Sequence, residues 1–207
     1  MDKEVLQKIG IMGGTFNPIH NGHLLIAESA REEFGLDKVL FIPTGHSPHK
    51  LNQQITEASH RCNMIELAIK DNPFFELNLI EVQEKRISYT YLTLQNLKKI
   101  YPKAELYFIL GADSLYDLEK WKKPEEILAS CNILAAYRWQ EEAPDFQGQM
   151  MYLNEKYNAH IYPLHAPAFD VSSSNIRSRI CKAESIRYLV PTKVADYIQK
   201  TKLYQNP

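Results

Sequence analysis

The chain has 207 residues, of which 44% are hydrophobic and 24% charged, with a formal net charge of −1. That length suits one domain, read here as 1–207, with a substantial core. The near-neutral balance gives no reason to expect wholesale nucleic-acid binding, and no apolar run approaches the roughly 20 residues of a membrane span.

Residues 8–12 are short, apolar and bounded by glycines, as a central strand would be. Gly13 and Gly14 carry no Cβ, so a ligand can approach the backbone closely, and Pro18 stops the strand. Asn21 reads as the N-cap of a helix whose apolar stripe runs through Leu24, Ala27, Ala30 and Phe34 to Gly35. A second strand covers 39–43 and leads into a polar loop, 44–54, of the kind that covers ligands. An amphipathic helix follows over 57–70, a strand over 76–82 and a helix over 90–100. The spacing then predicts a strand at 106–110, a short helix at 124–129 with Pro124 in the favoured first position, and a strand at 132–137. A helix at 147–158, a short strand at 161–164 and helices at 174–181 and 192–201 complete the chain. This alternation predicts an α/β fold: a Rossmann-like open, mainly parallel sheet with helices on both faces. Ligands of such sheets bind beyond the carboxyl ends of the strands, which makes the loops after Met12, Pro43, Leu110 and Tyr137 the informative ones.

His20 and His23 fall three apart at the start of the first helix, on one side of it. A helix N-terminus presents unpaired N–H groups and partial positive charge, and so attracts phosphate. One histidine there would read as a cap; two in this setting read as groups that donate to phosphate oxygens. The stretch is no Walker A loop, and Gly10, Gly13 and Gly14 miss the dinucleotide-binding spacing. Ser172, Ser173 and Ser174 precede a helix that carries Arg177 on its first turn, an end that suits a polyphosphate, although taken alone it reads first as an ordinary serine cap with a solvated arginine. Asp113, just after Gly111, can accept from ribose hydroxyls or cap a helix. Trp121, between two lysines, can stack on a planar ring or simply pack. Cys62, Cys131 and Cys181 show no zinc or redox spacing and read as reduced structural thiols.

The run Gly14-Thr15-Phe16-Asn17-Pro18-Ile19-His20-Asn21-Gly22-His23 resembles the G-x-F-x-P-x-H-x-G-H signature of the nucleotidylyltransferase superfamily. The segment as a whole most resembles bacterial nicotinate-nucleotide adenylyltransferases. That resemblance implies transfer of AMP from ATP to nicotinate mononucleotide, giving deamido-NAD and pyrophosphate in NAD biosynthesis. It implies His20 and His23 as catalytic residues, and an ATP site made of Gly13, Gly14, Thr15, Phe16, His20, His23, Gly111, Asp113 and Arg138. Residues 171–177 resemble the family's I-S-S-T-x-I-R motif, which adds Ser172, Ser173, Ser174, Arg177 and the backbone of Ile176.

For the acceptor, Ser88-Tyr89-Thr90 resembles the S-Y-T segment that reads the nicotinate carboxylate. Trp121 matches a tryptophan of the pyridine pocket, and Lys50 matches the lysine of a P-H-K loop near substrate phosphate. His60-Arg61 has a counterpart too, yet equally reads as a solvated first helical turn. Residues 188–197 resemble the family's closing segment, taken as structural. The chain departs from the family at Leu92, where many relatives have Asp, at Ser47, and at Trp139 and Gln140 after Arg138.

The partners so implied are ATP and nicotinate mononucleotide, with Mg²⁺ carried on the triphosphate. No protein-held metal is expected, because the two histidines lack a third ligand. Neither nucleic acid nor membrane is an expected partner, and homo-oligomerisation stays open. The start of the chain has no signal-peptide pattern, which points to the cytoplasm. Nicotinamide mononucleotide or phosphopantetheine as acceptor, and a non-catalytic nucleotide sensor, are the alternatives.

Overall fold

The computed structural model describes residues 7–46, 55–84, 86–137, 146–167 and 169–205. Six strands form one sheet: β1 (Lys8–Gly14), β2 (Lys38–Pro43), β3 (Phe75–Leu77), β4 (Glu105–Gly111), β5 (Asn132–Tyr137) and β6 (Ile161–His165). Their order is β3-β2-β1-β4-β5-β6, and every neighbouring pair is parallel. The chain winds outward from β1 to β3, then returns to the other side of β1 to start β4. The sheet therefore reverses direction between β1 and β4, and a crevice opens there beyond the strands' carboxyl ends.

Side chains alternate across the sheet with period two, so each central strand feeds two cores. Val39 and Phe41 of β2, Ile109 of β4 and Leu134 of β5 face one side; Leu40 and Ile42, Phe108 and Leu110, and Ile133 face the other. The first core is covered by helices α1 (Asn21–Phe34), α2 (Ala58–Ile69), α7 (Ser173–Cys181) and α8 (Thr192–Thr201). The second lies under α3 (Thr90–Ile100), α4 (Ala112–Asp117), α5 (Pro124–Leu128) and α6 (Phe146–Tyr157). Burial on both faces explains why the central strands are nearly continuous apolar runs.

Two local expectations are corrected. The third strand was expected over 76–82 but ends at Leu77. Asn78 donates its N–H to Phe41 O and accepts from Ile80 N–H through its side chain, which turns the chain away from the sheet. The cap of α1 is His20 rather than Asn21. Asn21 is committed elsewhere: its N–H donates to Leu189 O at 2.9 Å and its side-chain amide to Tyr188 O at 2.7 Å. Cys62, Cys131 and Cys181 are free thiols, and burial pushes the Cys131 thiol up to about 12, where it is inert. Among the described residues no helix is long and apolar enough to cross a membrane.

Candidate active site

The turn between β1 and α1 is rigid for local reasons. Phe16 adopts a left-handed φ of 50°, an uncommon conformation for a bulky residue, and its ring is buried. That ring folds back under Gly14, where an added Cβ would come within 3.2 Å of it. Phe16 also meets His23 edge-on, with centroids 5.0 Å apart. Residues 16–20 are all buried. His20 is extended, and its N–H donates to Nδ1 of His23 at 3.2 Å, one half of a capping box built from two imidazoles. Since Nδ1 of His23 accepts, a neutral His23 carries its proton on Nε2, which is then a donor. Burial, and next the neighbouring His20, hold the His23 pKa well below its ordinary value, so the ring is neutral at pH 7.

Three cationic or hydroxyl side chains grip the carbonyls of this turn. Arg177 donates to Asn17 O and the Ser173 hydroxyl to Pro18 O, both at 2.8 Å. Arg61 is the third, and it contradicts the reading of a solvated helical turn: only 2% of it is exposed. Its guanidinium donates to Thr15 O and Thr44 O at 2.8 Å and to Thr56 O at 2.9 Å. Burial lowers its pKa, but a guanidinium remains charged under all physiological conditions. Arg61 thus ties the turn after β1 to the loop after β2 and puts a fixed positive charge beneath both.

On the other side of the turn lies a cavity of about 250 Å³. It brings Gly13, Gly14 and Thr15 together with Ser88, Tyr89, Thr90 and Trp121, which the sequence separates by more than 70 residues. Tyr89 caps α3 and Thr90 opens it. The half-buried Trp121 packs edge-on against Phe108, centroids 6.2 Å apart and planes at 85°, which leaves a ring face for the cavity.

The cavity wall also contains Thr44, Glu81, Thr93, Ser114 and Lys122, none of which the sequence assigned to the site. Glu81 is the most consequential of these. It accepts from the Thr93 hydroxyl at 2.7 Å, beside it the Gly45 N–H donates to the Ser88 hydroxyl at 3.2 Å, and burial raises the Glu81 pKa against the opposing influence of Thr93, Ser88 and Gly45. Gly45 lies so close that an added Cβ would collide with Glu81 O. Glu81 is therefore the hub that joins the loop after β2 to the start of α3. No sequence signal marked it, because its partners are spread from residue 45 to residue 93.

The other expected residues divide. Gly111 caps α4, which removes capping as the job of Asp113; Asp113 is exposed on the first turn of α4. Neither residue lines the cavity, where Ser114 takes the position. Ser172 caps α7 by accepting from Asn175 N–H, and its hydroxyl lies 3.0 Å from that of Ser174. The Ile176 side chain is fully buried, so only its backbone can meet a ligand. Lys50 and Arg138, with the rest of 47–54 and Trp139 and Gln140, lie outside the described residues. Among the described residues no three His, Cys, Asp or Glu side chains are grouped to hold a metal. The donor set around the turn is imidazole, hydroxyl and guanidinium, which fits a phosphate-borne cation rather than a protein cage.

A glycine turn at the reversal of the sheet, paired imidazoles at a helix start and a serine–arginine helix thus lie side by side at one end of an α/β fold. A family model described as cytidylyltransferase-like matches residues 11–179. The chain is 43% identical over 206 residues to the "probable nicotinate-nucleotide adenylyltransferase" of Thermoanaerobacter sp. (strain X514), covering 99% of this chain and 97% of that one. It is 44% identical over 199 residues to the protein of the same name from Lachnoclostridium phytofermentans, covering 96% and 100%. The chain belongs to the nicotinate-nucleotide adenylyltransferase family. Its fold matches that of the Plasmodium falciparum nicotinic acid mononucleotide adenylyltransferase complexed with NaAD, with a TM-score of 0.79 at 21% identity over 97% of this chain and 98% of that one.

Proposed function

We propose that this protein transfers AMP from ATP to nicotinate mononucleotide, forming deamido-NAD and releasing pyrophosphate. The observation that carries this reading is the shared wall: the backbone of Gly13 to Thr15 lines an aromatic, hydroxyl-rich cavity and continues directly into the turn that bears His20 and His23. An acceptor nucleotide in the cavity and a triphosphate on the turn would meet at that wall.

The acceptor lies with its pyridine ring against Trp121 and its carboxylate toward Ser88, Tyr89 and Thr90 at the positive end of α3. ATP lies along Gly13 to Phe16, His20, His23 and the start of α7, where Ser172, Ser173, Ser174, the Ile176 backbone and Arg177 face the triphosphate. Gly111, Asp113 and Arg138 complete the adenosine end, and Lys50 serves the substrate phosphate. Mg²⁺, held by the ATP phosphates and water rather than by a protein cage, would supply charge neutralisation at the triphosphate when bound. The protein is a single domain acting in the cytoplasm.

The acceptor phosphate is already largely ionised at pH 7, since its second pKa is about 6. It can attack the α-phosphorus without a general base: the new P–O bond forms as the bond to the β-phosphate oxygen breaks, and that electron pair leaves with pyrophosphate. The protein's part is positioning and charge stabilisation. His23 Nε2–H and His20 supply donors where negative charge builds, Arg177 adds its charge from the start of α7, and the buried Arg61 charge lies behind the turn.

Pyrophosphate release from ATP and Mg²⁺ tests this directly, with nicotinate mononucleotide, nicotinamide mononucleotide and phosphopantetheine offered in parallel. Strong preference for the nicotinate form is expected. Preference for another acceptor would keep the chemistry and discard the acceptor pocket. ATP binding with no release from any of them would make the protein a nucleotide sensor.

A further inference from the structure

The segment after α8 lies just beyond the stretch, 188–197, that the sequence marks as structural, yet it reaches the centre of the site. Tyr204, 187 residues from Asn17, donates its hydroxyl to Asn17 Oδ1 at 2.8 Å. Asn17 is 6% exposed and occupies the middle of the histidine-bearing turn, between Phe16 and Pro18. The turn's main-chain carbonyls at Thr15, Asn17 and Pro18 are gripped by Arg61, Arg177 and Ser173. Its Asn17 side chain is gripped from the far end of the chain.

Tyr204 is built to hold that contact. Its backbone is in the left-handed region at φ 64°, an unfavourable conformation for a tyrosine that its surroundings must impose. Its ring packs on the core that α2 and α8 cover. Burial pushes the phenol up to about 12, against the opposing influence of Thr56, Arg177 and Arg61, so the hydroxyl keeps its proton and donates throughout the physiological range. The charged groups that face it, Arg61 and Arg177, are the same two that hold the turn.

We propose that Tyr204 is a positioning residue for adenylyl transfer: through Asn17 it sets the turn that aims His20 and His23 at the nucleotide phosphates. It touches neither reacting atom. An error at Asn17 is passed along three residues of buried main chain to His20, where ångström-scale displacement is costly to a transition state and nearly free to ground-state binding. The kinetic part of this inference rests on the proposed transfer reaction.

The test is Tyr204→Phe, which removes one oxygen and keeps the ring, beside Asn17→Ala and the double variant. Expected for Tyr204→Phe are a roughly tenfold fall in kcat, a KM for ATP within about twofold of wild type, and an unfolding temperature within a few degrees. The double variant is expected to be no slower than Asn17→Ala alone, because both act through one contact. An unchanged kcat, or losses that multiply in the double variant, overturns the proposal. A second readout needs no turnover: the side-chain ¹H–¹⁵N resonances of His20 and His23, recorded with a non-hydrolysable ATP analogue, should shift in Tyr204→Phe. Unmoved resonances overturn the proposal even in a protein that transfers nothing. Transfer to a different acceptor overturns only the acceptor assignment, and the same kcat comparison is then made with that acceptor.

Discussion

The imidazoles of His20 and His23 stack 3.6 Å apart, centroid to centroid, with their planes 27° from parallel. Two stacked rings of this kind cannot both carry a proton without repulsion. Burial already disfavours the charged form of His23, and His20 disfavours it further. The pair is therefore suited to act as hydrogen-bond donors rather than as two cations.

Removing either ring should cost rate more than binding. His20→Ala and His23→Ala are each expected to lower kcat by about 10²–10³-fold, the usual range for one lost donor to developing charge. The dissociation constant for ATP should change only a few-fold. Steady-state kinetics beside calorimetric ATP titration separates the two, and equal losses in both would place the histidines in ground-state binding instead.

The depressed His23 pKa also fixes the sign of a pH effect. An unfolded histidine titrates near 6.5, whereas the folded one titrates well below its ordinary value. Between those two values the unfolded chain binds the extra proton, so His23 stabilises the fold fully above about 6.5 and progressively less as pH falls toward its folded pKa. The unfolding temperature should drop on acidification through that window, and less steeply in His23→Asn, whose amide oxygen can still accept from His20 N–H. Parallel acid limbs for the two proteins would remove His23 as the cause.

Arg61→Met should be among the most damaging substitutions away from the reacting atoms. It leaves the carbonyls of Thr15, Thr44 and Thr56 without their shared donor. A loss of about 3 kcal/mol is expected, from buried acceptors left unpaired and charge-assisted bonds removed. Arg61→Lys should recover only part of it, because an ammonium lacks the planar fork that reaches three carbonyls from one position. Urea unfolding of the three proteins measures both numbers.

Trp121→Ala should act on the acceptor alone. Loss of a stacking face worth about 0.5–2 kcal/mol predicts an acceptor KM raised about 2- to 30-fold. The KM for ATP should stay close to the original. An acceptor KM that does not move would take Trp121 out of the pocket and leave it as a packing partner of Phe108.

Much of this was legible in the chain alone. The strands of the central sheet announce themselves because burial on both faces demands unbroken apolar runs, and 132–137 was read with the bounds that β5 has. The glycine turn and its histidines were legible because strand, turn and helix start are contiguous, and local backbone chemistry specifies all three. The boundary of β3 was not legible. Leu79, Ile80 and Val82 look like strand continuation, whereas just after its N–H meets Phe41 O, Asn78 accepts from Ile80 N–H through its side chain and turns the chain off the sheet.

What the tertiary structure alone decided is which polar side chains became interior. Arg61, Glu81 and Tyr204 look like surface residues in their own neighbourhoods, since nothing within four positions of any of them signals a buried partner. Each is held in the interior by groups that the fold delivers from elsewhere: Arg61 by carbonyls at 15, 44 and 56, Glu81 by the hydroxyl at 93, Tyr204 by an amide at 17. Desolvation and long-range hydrogen bonding depend on the whole packed chain, so no local pattern encodes them. The sequence by itself determined the class of fold and the stretch where phosphate chemistry belongs; the packed structure decided which distant side chains hold that stretch in place.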